Sequence, residues 1–274
     1  MKEFYVILVL IYSQAVFGLS EEITTAEPMP DIYEPLPIKG ELAEFFEGDI
    51  LLTDRQKSAL ISKHNRNGLI DVTKRWPNNT LVYYFAPNEF TAYQIRQIRA
   101  ALWIMGNSSC VRFQERRYSN EYAVRVTNAG GNVCNSYIGY IYQDQWQYGY
   151  QPLNLGPGCF SRGTIMHEFL HALGFFHMQS TYNRDDYVCI VWKNIQEGME
   201  HNFYKEDNMT VSNFDVEYDY NSVMHYSSTT FSKNGRRTII PIEPGVTIGQ
   251  RRGMSRGDVI KLNRMYNCYN NIEE

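Results

Sequence analysis

One short stretch constrains this chain more than any other: residues 164–180, which read TIMHEFLHALGFFHMQS. His167 and His171 are four residues apart, so on a helix they lie on one face and can share a metal ion. Glu168 lies on the same side and can reach a water molecule bound to that ion. Gly174 is predicted to end the helix in the left-handed conformation, which glycine adopts without penalty. The chain can then turn sharply and bring His177 back as a third ligand.

Three imidazoles predict a catalytic metal site. Three protein ligands leave a coordination position open for water, whereas structural zinc sites are closed by four. Imidazole suits zinc, so we expect one zinc ion per subunit. The alternative is an amphipathic helix with incidental polar residues. The full pattern HExxHxxGxxH should arise by chance only about once in 10⁵ sequences of this composition, which favours the metal site.

The beginning of the chain predicts export. Lys2, an apolar run from Phe4 to Phe17 and the small-residue pattern Val16-x-Gly18 are typical of a signal peptide over residues 1–18. A transmembrane anchor needs about 20 apolar residues, and this run is shorter. No later segment of the sequence has the length and apolarity of a span, so a secreted, extracellular protein without a membrane partner is expected. The net charge of −4 gives no indication of a nucleic-acid partner.

The character of the chain changes after the signal. Residues 19–66 carry ten acidic and five basic side chains, and residues 19–40 show no apolar periodicity. The later pattern predicts strands at 81–86, 110–116, 122–127 and 136–142, with a turn at Gly130 and Gly131. Helices are predicted after the N-cap Thr91 and from Arg162, with a Tyr- and Gln-rich loop before the second. This order of strands and helices, followed by a stretch of sequence with fewer regular elements, indicates an α+β domain.

Cysteines and sequons fit an exported chain. The five cysteines are an odd number, so at least one stays unpaired within the chain. Cys189 lies in the apolar run YVCIVW, where a cysteine usually behaves as a small buried hydrophobe, and is the candidate for the free thiol. Three N-x-S/T sequons are candidates for N-glycosylation, at Asn78, Asn107 and Asn208.

Further motifs accompany the histidines and resemble a known family. SVMHY at 222–226 is similar to the methionine turn of the metzincin metalloproteases, and its final tyrosine is similar to that of the astacin family. RDDY at 184–187, IGQRRGMS at 248–255 and LNRMYNC at 262–268 resemble astacin segments in the same order. FEGD at 46–49 resembles the astacin propeptide motif. The resemblance extends from about residue 41 to residue 268.

The resemblance implies a metzincin-like, α+β catalytic domain. Its N-terminal subdomain would contain a twisted mixed sheet of parallel and antiparallel strands and the active-site helix, and its C-terminal subdomain would be mostly irregular with a final helix. The chain would divide into a signal peptide (1–18), a propeptide with the inhibitory FEGD segment (19–66), the catalytic domain (67–270) and a tail (271–274). The strand SYIGY at 136–140 would form the upper rim of the cleft and bind a peptide as an added strand. The connection 140–150 is longer than the family's usual one.

The resemblance also implies a role for each site residue. The three histidines would hold the zinc ion, and Glu168 would act as general base and then general acid in peptide-bond hydrolysis. Tyr226 would be a fifth zinc ligand at rest and would donate to the oxyanion during catalysis. Met224 would pack beneath the histidines. The other histidines, which are expected to be structural, are His64, His201 and His225.

Latency is implied as well. Asp49 of FEGD would bind the zinc ion in place of the catalytic water and hold the chain as an inactive zymogen. An activating protease would then cut between Arg66 and Asn67. The dibasic pair Lys74-Arg75 is a weaker alternative, because a cut there would trim the mature N-terminus.

Two further expectations come from the resemblance. The family's disulfide pattern implies Cys110–Cys268 and Cys134–Cys159, which leaves Cys189 free. Where the family commonly has a glutamate after the third histidine, tied through water to the new N-terminus, this chain has Met178. A thioether is a weak acceptor and cannot form that charged link.

Two alternatives remain open beside a secreted, monomeric endopeptidase acting on proteins and peptides. One is a catalytically silent, zinc-retaining binding protein of the same fold, which the intact set of site residues disfavours. The other is a metzincin of a different subfamily, such as one that uses a propeptide cysteine for latency. Residues 19–66 contain no cysteine, which disfavours that subfamily.

Overall fold

A computed structural model describes residues 45–61, 72–129, 131–206 and 212–268, apart from the side chains of 58–61, 145 and 146. The predicted signal peptide, the Arg66–Asn67 bond, Asn208, His64, Gly130 and the tail lie outside the described residues. Within the described ranges, no helix has the length and apolarity needed to cross a membrane.

A six-stranded mixed sheet organises the N-terminal half. Its strands are β1 (Ile50–Leu51), β2 (Thr80–Phe85), β3 (Arg112–Glu115), β4 (Ala123–Thr127), β5 (Cys134–Tyr137) and β6 (Tyr150–Leu155). They lie in the order β1-β5-β6-β4-β2-β3. Only the β5–β6 pair is antiparallel, and the other four pairs are parallel. The mixed α+β sheet expected from the sequence is therefore confirmed.

Helices cover the sheet where the sequence predicts them. The helix α2 (Ala92–Asn107) begins with a capping box, in which the Thr91 side chain accepts from the Gln94 amide and the Gln94 side chain accepts from the Thr91 amide. Ile98, Ala101, Leu102 and Met105 form its buried face at helical spacing. Two shorter helices are α1 (Asp54–Ile61) and α3 (Tyr142–Gln145). The histidine helix is α4 (Arg162–Leu173).

Two strand predictions need correction. The strand expected over 136–142 ends at Tyr137, because Gly139 has φ +71° and a Cβ there would lie 2.9 Å from the Lys74 carbonyl oxygen. The Tyr- and Gln-rich region before α4, expected to be a loop, contains the strand β6, although Pro152 cannot donate to a sheet ladder. Gln151 is nevertheless fully buried, and its side-chain amide donates to the Gly139 carbonyl at 2.9 Å.

The C-terminal half is irregular, as expected, and has its own small core. It contains the antiparallel pair β7 (Val188–Ile190) and β8 (Ile239–Pro241), short 3₁₀ turns and the final helix α5 (Arg256–Met265). A capping box between Ser255 and Asp258 begins α5. A cluster of buried side chains that includes Phe203 and Tyr226 is separate from the main core.

The structure links Cys110 to Cys268 and Cys134 to Cys159, the two pairs that the resemblance implies. Cys189 is free, as expected, but the expectation that it is buried is wrong, since its side chain is exposed. The apolar run YVCIVW forms an edge strand, and only alternate side chains of such a strand face the core. Asn78 and Asn107 are also exposed.

Candidate metal centre

The local sequence fixes α4 at both ends. The Ser161 side chain accepts a hydrogen bond from the Thr164 amide at the N-terminus, and Gly174 ends the helix with φ 111°. Every residue from Gly163 to Leu173 is buried, which suits a helix enclosed on all sides. A Cβ at Gly163 would lie 2.0 Å from the Arg251 carbonyl oxygen, so glycine permits the close approach of the 248–255 segment.

The three histidines converge on one point, together with a carboxylate from far upstream. Donor atoms of Asp49, His167, His171 and His177 all lie within 4.8 Å of one another. The His167 Nε2 atom lies 3.1 Å from that of His171 and 3.2 Å from that of His177. The Asp49 carboxylate oxygens lie 3.1 to 3.3 Å from the same three nitrogens. Within the described residues, this is the group with the spacing of a metal site.

The other ring nitrogens decide which atoms face the metal. His167 Nδ1 donates to the Val223 carbonyl at 2.8 Å, and His171 Nδ1 donates to the Phe175 carbonyl at 2.6 Å. His177 Nδ1 donates to the Glu47 carboxylate at 2.8 Å. Such bonds fix each ring and its tautomer, which leaves Nε2 as the nitrogen available to a metal ion in all three cases.

The site also contains buried oxygen atoms that suit a cation and a bound water. Asp49 Oδ1 and Glu168 Oε2 are buried and accept no hydrogen bond from the described residues. A buried carboxylate oxygen in that condition is costly unless a cation or water satisfies it. The donor set of three imidazoles and one carboxylate therefore fits a divalent metal ion with nitrogen preference, such as zinc.

Electrostatics in the cluster follow from burial and from Asp49. Burial lowers the pKa of His167 to about 3, which keeps it neutral as a ligand must be. Burial alone would lower the pKa of His177, but the carboxylates of Asp49 and Glu47 raise it to about 9. Burial, and then the charge of Asp49, raise the pKa of Glu168 well above its usual range. Loss of Asp49 would thus favour the ionised form of Glu168.

Glu47 is the residue that sequence reasoning missed. It is almost fully buried, has φ +47° and accepts bonds from both the backbone N–H and the Nδ1 of His177. The neighbouring Gly48 leaves room for the Phe231 ring, which a Cβ would meet at 2.6 Å. Glu47 is the second residue of FEGD, but nothing in the sequence links its side chain to His177, which lies 130 residues further along the chain.

Tyr226 lies beside the cluster, with its hydroxyl donating to the Glu47 carbonyl at 2.5 Å. Its ring centroid is 4.6 Å from that of His177, and its amide donates to the Gln179 side chain. Met224 is buried, and its carbonyl accepts from the Met178 amide at 3.0 Å. The SVMHY turn is thereby joined to the residue that follows the third histidine.

Met178 is buried next to an unexpected cation. The Lys261 ammonium lies 3.7 Å from the Met178 sulfur, and both side chains are buried. Burial lowers the pKa of Lys261, although Asp258 and Asp219 oppose that effect. The position where a glutamate was expected therefore faces a buried ammonium of the same chain.

Three features define the class of protein. They are the mixed sheet, the helix that carries two of the three converging histidines, and the left-handed glycine before the third histidine. This is the architecture of a metzincin-type zinc metalloprotease. Its methionine turn contacts the segment that follows the third histidine.

Comparisons with known proteins give the family. The family model for Astacin, a peptidase family, matches residues 68–267. Seminal metalloprotease 1 of Drosophila melanogaster is 39% identical over 234 residues, which cover 84% of this chain and 90% of that protein. Zinc metalloproteinase nas-13 of Caenorhabditis elegans is 35% identical over 246 residues, and the match spans 86% of this chain but only 51% of that protein. The chain belongs to the astacin family and is a zinc metalloendopeptidase.

A solved structure agrees with this assignment. High choriolytic enzyme 1, a hatching-enzyme zinc protease of the medaka fish Oryzias latipes, superposes with a TM-score of 0.62 at 36% identity. The superposition covers 71% of this chain and 93% of that one. The fold expected from the sequence is therefore confirmed at the level of the family.

Proposed function

We propose that the chain is a secreted endopeptidase made as a zymogen, in which residues 19–66 are a prosegment that blocks its own metal centre. The observation that carries the proposal is the Asp49 carboxylate, which lies 3.1 to 3.3 Å from all three histidine Nε2 atoms. A carboxylate in that place takes the coordination position that a catalytic water needs.

The residues of the centre suit a hydrolytic mechanism. His167, His171 and His177 would hold the zinc ion, which when bound would act as a Lewis acid toward water and the carbonyl group of the substrate. Glu168 accepts the proton of the attacking water and delivers it to the departing amine. The hydroxyl of Tyr226, when it no longer donates to the Glu47 carbonyl, becomes a donor for the developing oxyanion.

The prosegment makes three contacts with this machinery at once. Asp49 occupies the histidine cluster, Glu47 binds His177 through its side chain, and the Glu47 carbonyl engages Tyr226. A single stretch of three residues thus faces a metal ligand and the oxyanion donor. Latency by this route needs no cysteine in the prosegment.

The same stretch also covers the strand on which a substrate would lie. Ile50 and Leu51 form β1, which pairs with Ser136 and Tyr137 of β5. Without β1, β5 becomes an open edge of the sheet, and an extended peptide can add to it through main-chain hydrogen bonds. Removal of the prosegment therefore frees both the metal centre and the substrate strand.

Cleavage between Arg66 and Asn67 by an activating protease would release the prosegment. The match to the Astacin family model begins at residue 68, which supports a boundary near this bond. The mature domain would then run from residue 67 to about residue 270, with one zinc ion per subunit.

Activity of the full and processed chains tests the proposal. The full chain is purified, cut after Arg66, and assayed on casein with zinc content measured in parallel. We expect hydrolysis only after processing, abolished by a chelator. Glu168→Gln should lower the rate by about 10²- to 10⁴-fold, the usual contribution of a general base, with its zinc retained.

The outcome that contradicts the proposal is equally clear. A processed wild-type chain that holds zinc but cleaves nothing would indicate a silent zinc-retaining binding protein. A full chain that is as active as the processed one would show that residues 45–51 do not block the centre.

A further inference from the structure

The prosegment has a second set of contacts with the rest of the protein, at the short helix α3 and away from the metal centre. The Thr53 hydroxyl donates to Asp144 Oδ2 at 2.9 Å, and the Arg55 guanidinium lies 3.6 Å from Asp144 Oδ1. Thr53 is only 4% exposed, and the Asp144 side chain only 7%. Beside them, the Gln56 side-chain amide donates to the Ile138 carbonyl at 3.1 Å.

Asp144 belongs to the body of the protein. Its amide donates to the Ile141 carbonyl, and its carboxylate accepts from the Lys74 ammonium at 3.2 Å. Lys74 is in turn joined to the rim, since the Tyr140 amide donates to the Lys74 carbonyl at 2.7 Å. Removal of residues 45–61 would therefore leave Asp144 in place, with one cation beside it and its other face open.

The position of Asp144 relative to the metal centre follows from the strand. Asp49 lies at the histidines, Ile50 and Leu51 pair with β5, and Thr53 reaches Asp144. Thr53 is four residues beyond Asp49, which corresponds to about 13 Å of extended chain. A peptide that replaces β1 along β5 would place the side chain three to five residues from its scissile bond next to Asp144.

We propose that Asp144 is a specificity-determining residue, which selects substrate side chains that donate hydrogen bonds, above all Arg and Lys and then Thr, three to five residues from the scissile bond. In the prosegment, the Thr53 hydroxyl donates to this carboxylate, and the Arg55 guanidinium forms an ion pair with it at 3.6 Å. The inference rests on the proposed function, because the prosegment must leave before a substrate can bind there.

The experiment compares matched peptides on the processed chain. Once a cleaved peptide is known, each position three to five residues from the scissile bond, on either side, is changed to Arg, Glu, Thr or Val. The kcat/KM ratio of the Arg to the Glu peptide, and that of the Thr to the Val peptide, should each be about five to ten at one position, as expected for a donor on a partly exposed carboxylate.

Variants of Asp144 separate charge from hydrogen bonding. Asp144→Ala should bring both ratios close to one. Asp144→Asn should lower the Arg-to-Glu ratio more than the Thr-to-Val ratio, because an amide oxygen still accepts a hydroxyl proton. Asp144→Glu keeps the charge and serves as a second variant if Asp144→Asn folds poorly. It should retain the preference for Arg. Glu115→Gln makes the same change of charge on β3, at the opposite edge of the sheet, and should alter neither ratio.

Binding to the processed Glu168→Gln chain keeps the two proposals apart. Peptides that bind and are cleaved with the same ratios in the wild type and in Asp144→Ala overturn the role of Asp144 and leave the proposed function intact. If the processed wild type cleaves no member of a random peptide library and none binds the Glu168→Gln chain, the proposed function is contradicted, and with it the role of Asp144.

Discussion

The metal centre consists of two halves that are built differently. In the fixed half, His167 and His171 are held by the carbonyls of Val223 and Phe175, which belong to the body of the protein. In the removable half, His177 is held by Glu47 and all three rings face Asp49, both from a segment upstream of the family domain. If residues 19–66 are a prosegment, as proposed, its removal takes away the Asp49 carboxylate and also the Glu47 side chain that supports His177.

The largest effect is expected from a variant that removes the main contact of the removable half. Asp49→Ala in the full chain removes the carboxylate from the histidines and, with it, a charge that raises the pKa of Glu168. The uncut chain should therefore hydrolyse casein at a rate about 10²-fold above the uncut wild type. Its rate should stay below that of the processed chain, because β1 still covers β5 and the Glu47 carbonyl still binds Tyr226. Casein hydrolysis is measured before processing, with mass spectrometry to verify that the chain is intact. Asp54→Ala makes the same change at an exposed residue of the same segment and is the matched control. It should leave casein hydrolysis by the uncut chain at the wild-type level.

The next effect tests the fixed half by pH. His225 is buried, with its ring bonded to the Tyr218 hydroxyl and the Tyr226 carbonyl, and burial lowers its pKa from 6.5 to about 4. The unfolded chain therefore binds a proton that the folded chain does not. The contribution of His225 to the free energy of unfolding is fully present above pH 6.5. It should fall by roughly 3 kcal/mol as the pH drops to 4.

Denaturant unfolding of the wild type and His225→Gln over that pH range measures this contribution as a difference. The fall should be smaller in His225→Gln and unchanged in His201→Gln, whose ring bonds to the Gly198 carbonyl at an exposed site. Since His225 and its two partners all lie outside residues 45–61, the full and processed chains should show the same difference. A difference confined to the full chain would contradict the division into two halves.

A smaller effect concerns the support of His177. Glu47→Gln in the full chain keeps an acceptor for Nδ1 but removes its charge, so the affinity for zinc should fall about tenfold, the lower end for loss of a partner behind a metal ligand. Competition with a chromophoric chelator measures the affinity. The processed chain lacks residues 47 and 49, so its affinity should be no higher than that of the full chain that carries both Asp49→Ala and Glu47→Gln. Equal affinities of Asp49→Ala with and without Glu47→Gln would show that Glu47 supports nothing.

The sequence predicted those parts of the centre that depend on local spacing. His167 and His171 follow from the helical period, and Gly174 from the end of helix-forming residues. The sheet was predicted only where apolar residues alternate, so β6 was missed. Its buried polar side chains, Gln151 and Asn154, donate to the backbone carbonyls of Gly139 and Val133, on either side of β5. Contacts between residues far apart in the chain could not be predicted from local sequence patterns. Examples are the contact of Glu47 with His177 and that of Met178 with Lys261, which lies 83 residues further along.

The smallest expected effect concerns how firmly the removable half is held at its far end. The Thr53 hydroxyl donates to Asp144 and also accepts from the Gln56 amide, so it both docks the segment and caps α1. Thr53→Val keeps the shape of the side chain but loses both bonds, whereas Thr53→Ser keeps them. Hydrogen exchange of the Ile50 and Leu51 amides should accelerate about tenfold in Thr53→Val, for a loss of about 1.4 kcal/mol, and less than twofold in Thr53→Ser. Equal exchange in the two variants would show that the Asp49 end alone holds the segment, because local opening reports the free energy of the contacts that must break.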